Sequence, residues 1–257
     1  MSKSPNKSGA DFAPRSFADS KEIEAYKKIA LLLRESPIPQ NEILANIAMF
    51  NVRASFVRMQ FMYMLYKKAL STHGVVMEFG TRWGKNLSLF TTFRNVHEPY
   101  NRSRKIIGFD TFEGFPGVNS EDGAAAEVRK GAYGIGLDYV ETLCQLLEAQ
   151  EALAPRGHIK KHEVVVGDVM ETLPAYLEAH PETIIALAYL DLDLYEPTKK
   201  VLETIRPYLV KNSVIGFDEL VYEEFPGETK ALRDAWGHSQ FELIRKEWAP
   251  QQSYLVL

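Results

Sequence analysis

Carboxylates recur at the ends of short apolar runs in this chain. Glu78 closes one run, Asp110 closes residues 105–109, and Asp168 follows residues 163–167. Asp191 and Asp193 follow residues 184–190, and Asp218-Glu219 follow residues 213–217. A nearly unbroken apolar run without polar alternation, as at residues 184–190, is the pattern of a strand buried on both faces of a parallel sheet. In an open sheet of that kind, ligands bind beyond the carboxyl ends of the strands. Acids gathered along one such edge repel each other, so something cationic must sit among them. Hard oxygen donors without His or Cys suit Mg²⁺, Mn²⁺ or Ca²⁺ better than zinc. The six histidines show no paired spacing, and surface or capping roles are the default for each.

The elements that must position these acids can be read around them. Residues 184–190 form a strand that hands over to a helix carrying Val201, Ile205 and Leu209 at helical spacing. Earlier, Gly74-Val-Val-Met-Glu78-Phe-Gly80-Thr-Arg-Trp-Gly84-Lys-Asn86 is a strand, an acid and a glycine turn, followed by a helix with Leu87, Phe90 and Phe93. Gly80 and Gly84 let a backbone approach a ligand, and the first amides of the helix can donate to it. Their spacing of four is not G-x-G-x-x-G, which weakens a nicotinamide or flavin reading. A purely structural tight turn is the competing reading. Asp110, at the end of the next strand, is placed to accept hydrogen bonds from both hydroxyls of a ribose. Asp168 suits an adenine amino group or, equally, the N-cap of a helix expected to start near Pro174.

Composition narrows the function. The net charge of −4, with no strongly basic block, argues against nucleic acid as a partner. No apolar run reaches the ~18 residues of a membrane span, and no secretory signal pattern opens the chain, so a cytoplasmic, soluble protein is expected. The lone Cys144 sits among Leu143, Leu146 and Leu147 and reads as a small core residue. Residues 1–19, rich in Ser, Lys, Asp and Pro, read as a flexible tail. A helical cap over 20–72 should contain helices at 21–35 and 52–70. The second is more apolar than a surface helix requires, so it covers a site, meets another subunit or simply packs on the sheet. Its Arg53 and Arg58 are candidates to face a ligand. The catalytic domain would span 73–257, with an insertion at 115–161 that includes a helix from 138 to about 152. That insertion is too long for a simple connection and reads as a lid or specificity segment, or as surface decoration. Strands at 241–248 and 253–257, joined through residues 249–252, should form an antiparallel hairpin.

Taken as a set, Glu78-Phe-Gly80, Phe109-Asp-Thr-Phe-Glu-Gly-Phe-Pro116, Gly167-Asp168, Leu190-Asp-Leu-Asp-Leu-Tyr-Glu-Pro-Thr198 and Phe217-Asp-Glu219 resemble the macrocin O-methyltransferase (TylF-type) family, from about residue 51 onward. The resemblance implies a class I methyltransferase: a Rossmann-like α/β fold with a seven-stranded sheet, its last strand antiparallel, helices on both faces and an N-terminal helical extension. It also implies S-adenosyl-L-methionine as cofactor, held by Glu78, Gly80, Thr81, Lys85, Asn86, Asp110, Thr111, Phe112, Gly167, Asp168, Val169 and Asp191. By the same resemblance Asp191, Asp218 and Glu219 would ligate Mg²⁺ or another divalent cation, and Asp193 would be the general base. Two departures stand out. Many members have Asp-Asp where this chain has Asp218-Glu219, and the Gly80-Thr-Arg-Trp-Gly84 turn differs from the commoner Gly-x-x-x-Gly-Gly form.

The implied reaction is O-methylation of a sugar hydroxyl, with a nucleotide-linked deoxysugar of natural-product biosynthesis as substrate, and the helices before Gly74 and the insertion are candidates to build a homo-oligomer. A metal would acidify the hydroxyl and fix it in line with the methyl group. A catechol-like aromatic diol is the alternative substrate, and a non-catalytic cofactor-binding scaffold the alternative class.

Overall fold

The structure, a computed structural model, describes residues 19–257. The tail expected over 1–19 therefore lies outside the described residues, except for Asp19. The chain folds as two compact units, one ending at Phe56 and one spanning Val57–Leu257. In the first, α1 (Ser20–Arg34) starts with a capping box. The Asp19 carboxylate accepts from the Glu22 amide and the Glu22 carboxylate accepts from the Asp19 amide. A short α2 (Ile43–Asn46) and a 3-10 turn (Ile47–Phe50) follow. α3 (Arg53–Ala69) begins at the end of this unit and runs into the second.

The second unit is built on β1 (Val75–Phe79), β2 (Ile106–Asp110), β3 (His162–Val166), β4 (Ile185–Leu190), β5 (Leu209–Phe217), β6 (Ile244–Lys246) and β7 (Ala249–Val256). They form one sheet in the order β3-β2-β1-β4-β5-β7-β6. The first five strands are parallel, and β7 runs antiparallel to both β5 and β6. After β1 the chain builds outward to β2 and β3, then returns to add β4 on the other side. The order therefore reverses between β1 and β4, the crevice where open α/β sheets bind ligands.

Helices cover both faces. Met77, Phe79, Ile107, Phe109, Leu190 and Phe217 pack with Leu173, Val201 and Trp236 from α6 (Val169–Ala179), α7 (Tyr195–Ile205) and α8 (Gly227–Trp236). On the opposite face Val76, Ile106, Leu187 and Val214 pack with residues of α3, α4 (Lys85–His97) and α5 (Tyr139–Ala152). Phe61, Met62, Leu65 and Tyr66 of α3 are buried there, so the apolar excess of that helix is sheet packing.

Two local expectations are corrected. α6 starts at Val169, not near Pro174, because Asp168 caps it with a carboxylate that accepts from the Met170 amide at 2.9 Å. The hairpin turn is not residues 249–252. Lys246 pairs with Ala249, leaving Glu247-Trp248 as the turn, while Ala249 and Gln252 are buried within β7.

Candidate functional site

Register brings the acids to one edge. Phe79 lies beside both Phe109 and Leu190, and Leu190 lies beside Phe217. The residue after each of Phe109, Leu190 and Phe217 is an aspartate, so Asp110, Asp191 and Asp218 are level at the carboxyl ends of β2, β4 and β5. Two backbone bonds fix the handover, from the Asp191 amide to the Phe79 carbonyl (2.8 Å) and from the Asp218 amide to the Leu190 carbonyl (3.0 Å).

Gly80 sits in that crevice with φ +92, and a Cβ there would run into the backbone carbonyl of Asp191. Both the left-handed backbone and the close approach require glycine. Gly80→Ala should destabilise the chain by about 1–3 kcal/mol, read as a lower midpoint in thermal unfolding. An unchanged midpoint would mean that the β1 turn is not held this close to β4.

Beside this turn is a polar cradle. Glu78 Oε2, Thr81 Oγ1 and Asn86 Oδ1 are buried with no hydrogen-bond partner. Burial raises the Glu78 carboxyl well above its ordinary range, with Asn86 opposing. Orphaned buried acceptors are costly and call for a donor. Asp110 accepts from the Arg82 amide (2.7 Å) and the Phe112 amide (2.6 Å), one on each oxygen. Arg82 and Phe112 hold left-handed φ values of 47 and 57 to present those amides. Burial raises the Asp110 carboxyl, opposed by these amides and by that of Thr81, which leaves one of its four lone pairs open. Thr111 is turned inward on its own loop, donating to the Gly114 carbonyl. Gly167 (φ +131) and Val169 flank the capping Asp168 at the end of β3.

The acids of β4 and β5 converge on a cation from the protein itself. Arg58 Nη1 donates to Asp191 Oδ2 at 2.9 Å and Nη2 donates to Asp218 Oδ2 at 2.6 Å. Asp218 Oδ1 also accepts from the Tyr189 hydroxyl (2.6 Å) and from Gln252 Nε2 (3.4 Å). Burial pushes Asp218 upward, but Arg58, Tyr189 and Gln252 bring it below the ordinary range. Burial, then the neighbouring Asp218 charge, pushes Asp191 up against the pull of Arg58. Lys85 faces the same cluster and is lowered to about 8, by burial and then by Arg58, with Asp218 and Asp191 opposing. The Glu219 amide donates to Glu228 Oε2 at 3.0 Å, and burial raises the Glu228 carboxyl well above its usual range.

Asp193 does not continue the strand. β4 ends at Leu190, and Asp193 has φ 61 in the left-handed region, ahead of Leu194 as the N-cap of α7. The extended alignment that would set Asp191 and Asp193 on one face therefore does not persist. The insertion reaches this corner, where Asp122 is buried and its Oδ1 accepts from the Tyr195 amide at 2.7 Å. Lys230 of α8 donates to the Glu121 carbonyl and pairs with its carboxylate at 3.0 Å. The insertion is thus tied to α7 and α8 and is not a loose decoration.

Tyr189, Gln252, Glu228 and Asp122 are site neighbours that sequence reasoning missed. Arg58, one of the two arginines expected to face a ligand, reaches the acids of β4 and β5 instead, and it shares one face of α3 with buried Phe61, Met62 and Leu65 at spacings of three, four and seven.

A family model described as a methyltransferase domain matches residues 77–220, from the glycine-turn strand to the acids after β5. The chain belongs to this methyltransferase family. It is an enzyme. Among solved structures, the calicheamicin methyltransferase CalS11 is similar at 42% identity over 94% of both chains, with a TM-score of 0.92. An apo structure of CalS11, described as a TDP-rhamnose 3'-O-methyltransferase of calicheamicin biosynthesis, matches at 39% identity and TM-score 0.83, over 94% of this chain and 96% of that one. The O-methyltransferase NovP shares the fold at 18% identity and TM-score 0.57, over 78% and 79% of the two chains. No curated protein sequence matches. The methyltransferase has the class I sheet, and among its described residues no helix is long and apolar enough to cross a membrane.

The donor sets differ in what they fit. The orphaned oxygens around Glu78, and the lone pair left open on Asp110, suit an ammonium and a ribose hydroxyl, as a bound S-adenosyl-L-methionine would present. The metal set does not fit as it stands. Two of its three carboxylates are bonded to Arg58, and no group of three or more His, Cys, Asp or Glu among the described residues is arranged to hold an ion.

Proposed function

We propose that this enzyme transfers a methyl group from S-adenosyl-L-methionine to a hydroxyl of a nucleotide-linked deoxysugar, and so acts in natural-product biosynthesis. The observation that carries this reading is the 42% identity to CalS11 over 94% of both chains. That the second CalS11 structure is described as acting on TDP-rhamnose favours a sugar over a catechol-like diol. Bound S-adenosyl-L-methionine supplies an electrophilic methyl on its sulfonium. Glu78, Thr81 and Asn86 take its ammonium end, with Gly80, Lys85 and Asp191 beside them. Asp110, Thr111 and Phe112 take the ribose, and Gly167, Asp168 and Val169 the adenine. Asp193 removes the proton of the attacking hydroxyl, so that the oxygen gains the carbon as the carbon–sulfur bond breaks. A homo-oligomer is part of this reading, supported by the exposed Leu32, Leu44 and Met49 of the first unit, and so is a cytoplasmic location.

Calorimetric titration with S-adenosylhomocysteine tests the cofactor assignment. Asp110→Ala should weaken binding about 10- to 100-fold, the loss expected for hydrogen bonds to a charged acceptor. Equal affinity in the parent and the variant would remove Asp110 from the cofactor site.

A further inference from the structure

The Arg58 guanidinium fills the place between Asp191 and Asp218 that sequence reasoning gave to a metal. It comes from a helix 133 residues before Asp191 and 160 before Asp218, and reaches both with one fork at 2.9 and 2.6 Å. This is not a loose surface contact. The Arg58 side chain is 21% exposed and that of Asp218 6%, while Phe61, Met62 and Leu65, on the same face of α3, are fully buried. Tyr189 and Gln252 occupy the other oxygen of Asp218, so its Oδ2 is the oxygen facing the cation. Two carboxylates this close need a positive charge between them, and either a guanidinium or a divalent ion answers that need. A guanidinium and a divalent ion held on the same two oxygens would repel each other at contact distance, so the two exclude one another.

We propose that Arg58 is the resident counter-ion of this acidic site and competes directly with divalent cations, which enter only when its fork leaves Asp191 and Asp218. The proposal rests on the reading of these two acids as part of the methyl-transfer site, and it makes Arg58 a positioning residue that holds them apart and aligned. Withdrawal needs no unfolding, because the contact lies near one end of α3 and the helix is anchored further along by Phe61, Leu65 and Tyr66.

The test is Mn²⁺ binding, followed by the loss of the free-ion electron paramagnetic resonance signal, with neither S-adenosyl-L-methionine nor sugar present. Arg58→Gln, which removes the charge but keeps hydrogen-bonding capacity, should bind Mn²⁺ at least about tenfold more tightly than the parent. Thermal unfolding should show a larger Mn²⁺-induced rise in midpoint for the variant. If Arg58→Gln does not fold, Arg58→Lys serves instead. It keeps the charge but loses the two-pronged fork, and should bind several-fold more tightly than the parent. Equal or weaker binding in the folded variant, or no binding in either protein, would overturn the proposal. Because no methyl acceptor is present, failure here leaves the methyl-transfer reading untouched, and failure to methylate a sugar leaves the competition standing.

Discussion

Asp193→Asn is expected to lower the rate of methyl transfer about 10²–10⁴-fold, the usual contribution of a positioned general base, while cofactor binding stays near that of the parent. The substitution is a clean probe for a structural reason. Asp193 holds φ 61, a backbone state that Asn tolerates almost as well as Asp, so the turn into α7 survives while the carboxylate charge is lost. A strained backbone at a side chain only 9% exposed, beside a cluster of acids, is the kind of feature found where function overrides local preference. Steady-state kinetics with S-adenosylhomocysteine titration as control would check it. Near-normal turnover in a folded variant would move the base elsewhere.

Arg94→Met is expected to cost about 3–5 kcal/mol of stability, since it leaves a buried carboxylate without its partner. Arg94 and Glu151 are fully buried and joined at 2.6 Å. Glu151 also accepts from the Lys161 amide, and Arg94 donates to the Lys161 carbonyl, which ties α4, α5 and the start of β3 together. Burial raises Glu151, but His162 and Arg94 outweigh that and bring it down to about 2. A carboxyl depressed on folding contributes stability that is complete above its unfolded value, ~4.3. That contribution is lost as pH falls through the folded value. The gap between parent and variant should therefore be full at neutral pH and shrink as pH drops from about 5 toward 2. Urea unfolding at several pH values reads this, and a gap that does not change with pH would assign the cost to packing alone. His162 lines a cavity of about 210 Å³ beside this network, far along the sheet from the acids of β4 and β5.

What was legible in the sequence followed from local pattern. Continuous apolar runs marked β1 to β5, and because each ended in an acid, parallel pairing in register was enough to line up Asp110, Asp191 and Asp218. What was not legible depended on partners distant in sequence. Nothing near Asp218 signals that Tyr189, Gln252 and Arg58 would meet on it. Acids gathered at one edge demand a cation among them, and the Arg58 guanidinium answers that demand as well as a metal would. The period-two spacing of an extended strand does not carry past Leu190, because the chain turns left-handed at Asp193. A proline favours the first turn of a helix and so points to a start near Pro174, but the cap at Asp168 sets the boundary five residues earlier, at Val169.

Methyl transfer to a nucleotide-linked deoxysugar is read out by incubating the enzyme with methyl-labelled S-adenosyl-L-methionine and a panel of nucleotide sugars and aromatic diols. The expected result is a labelled methyl ether on a nucleotide-linked deoxysugar such as TDP-rhamnose, with stoichiometric S-adenosylhomocysteine and no label on the diols. Label on a catechol-like diol, with every sugar unmodified, would contradict it.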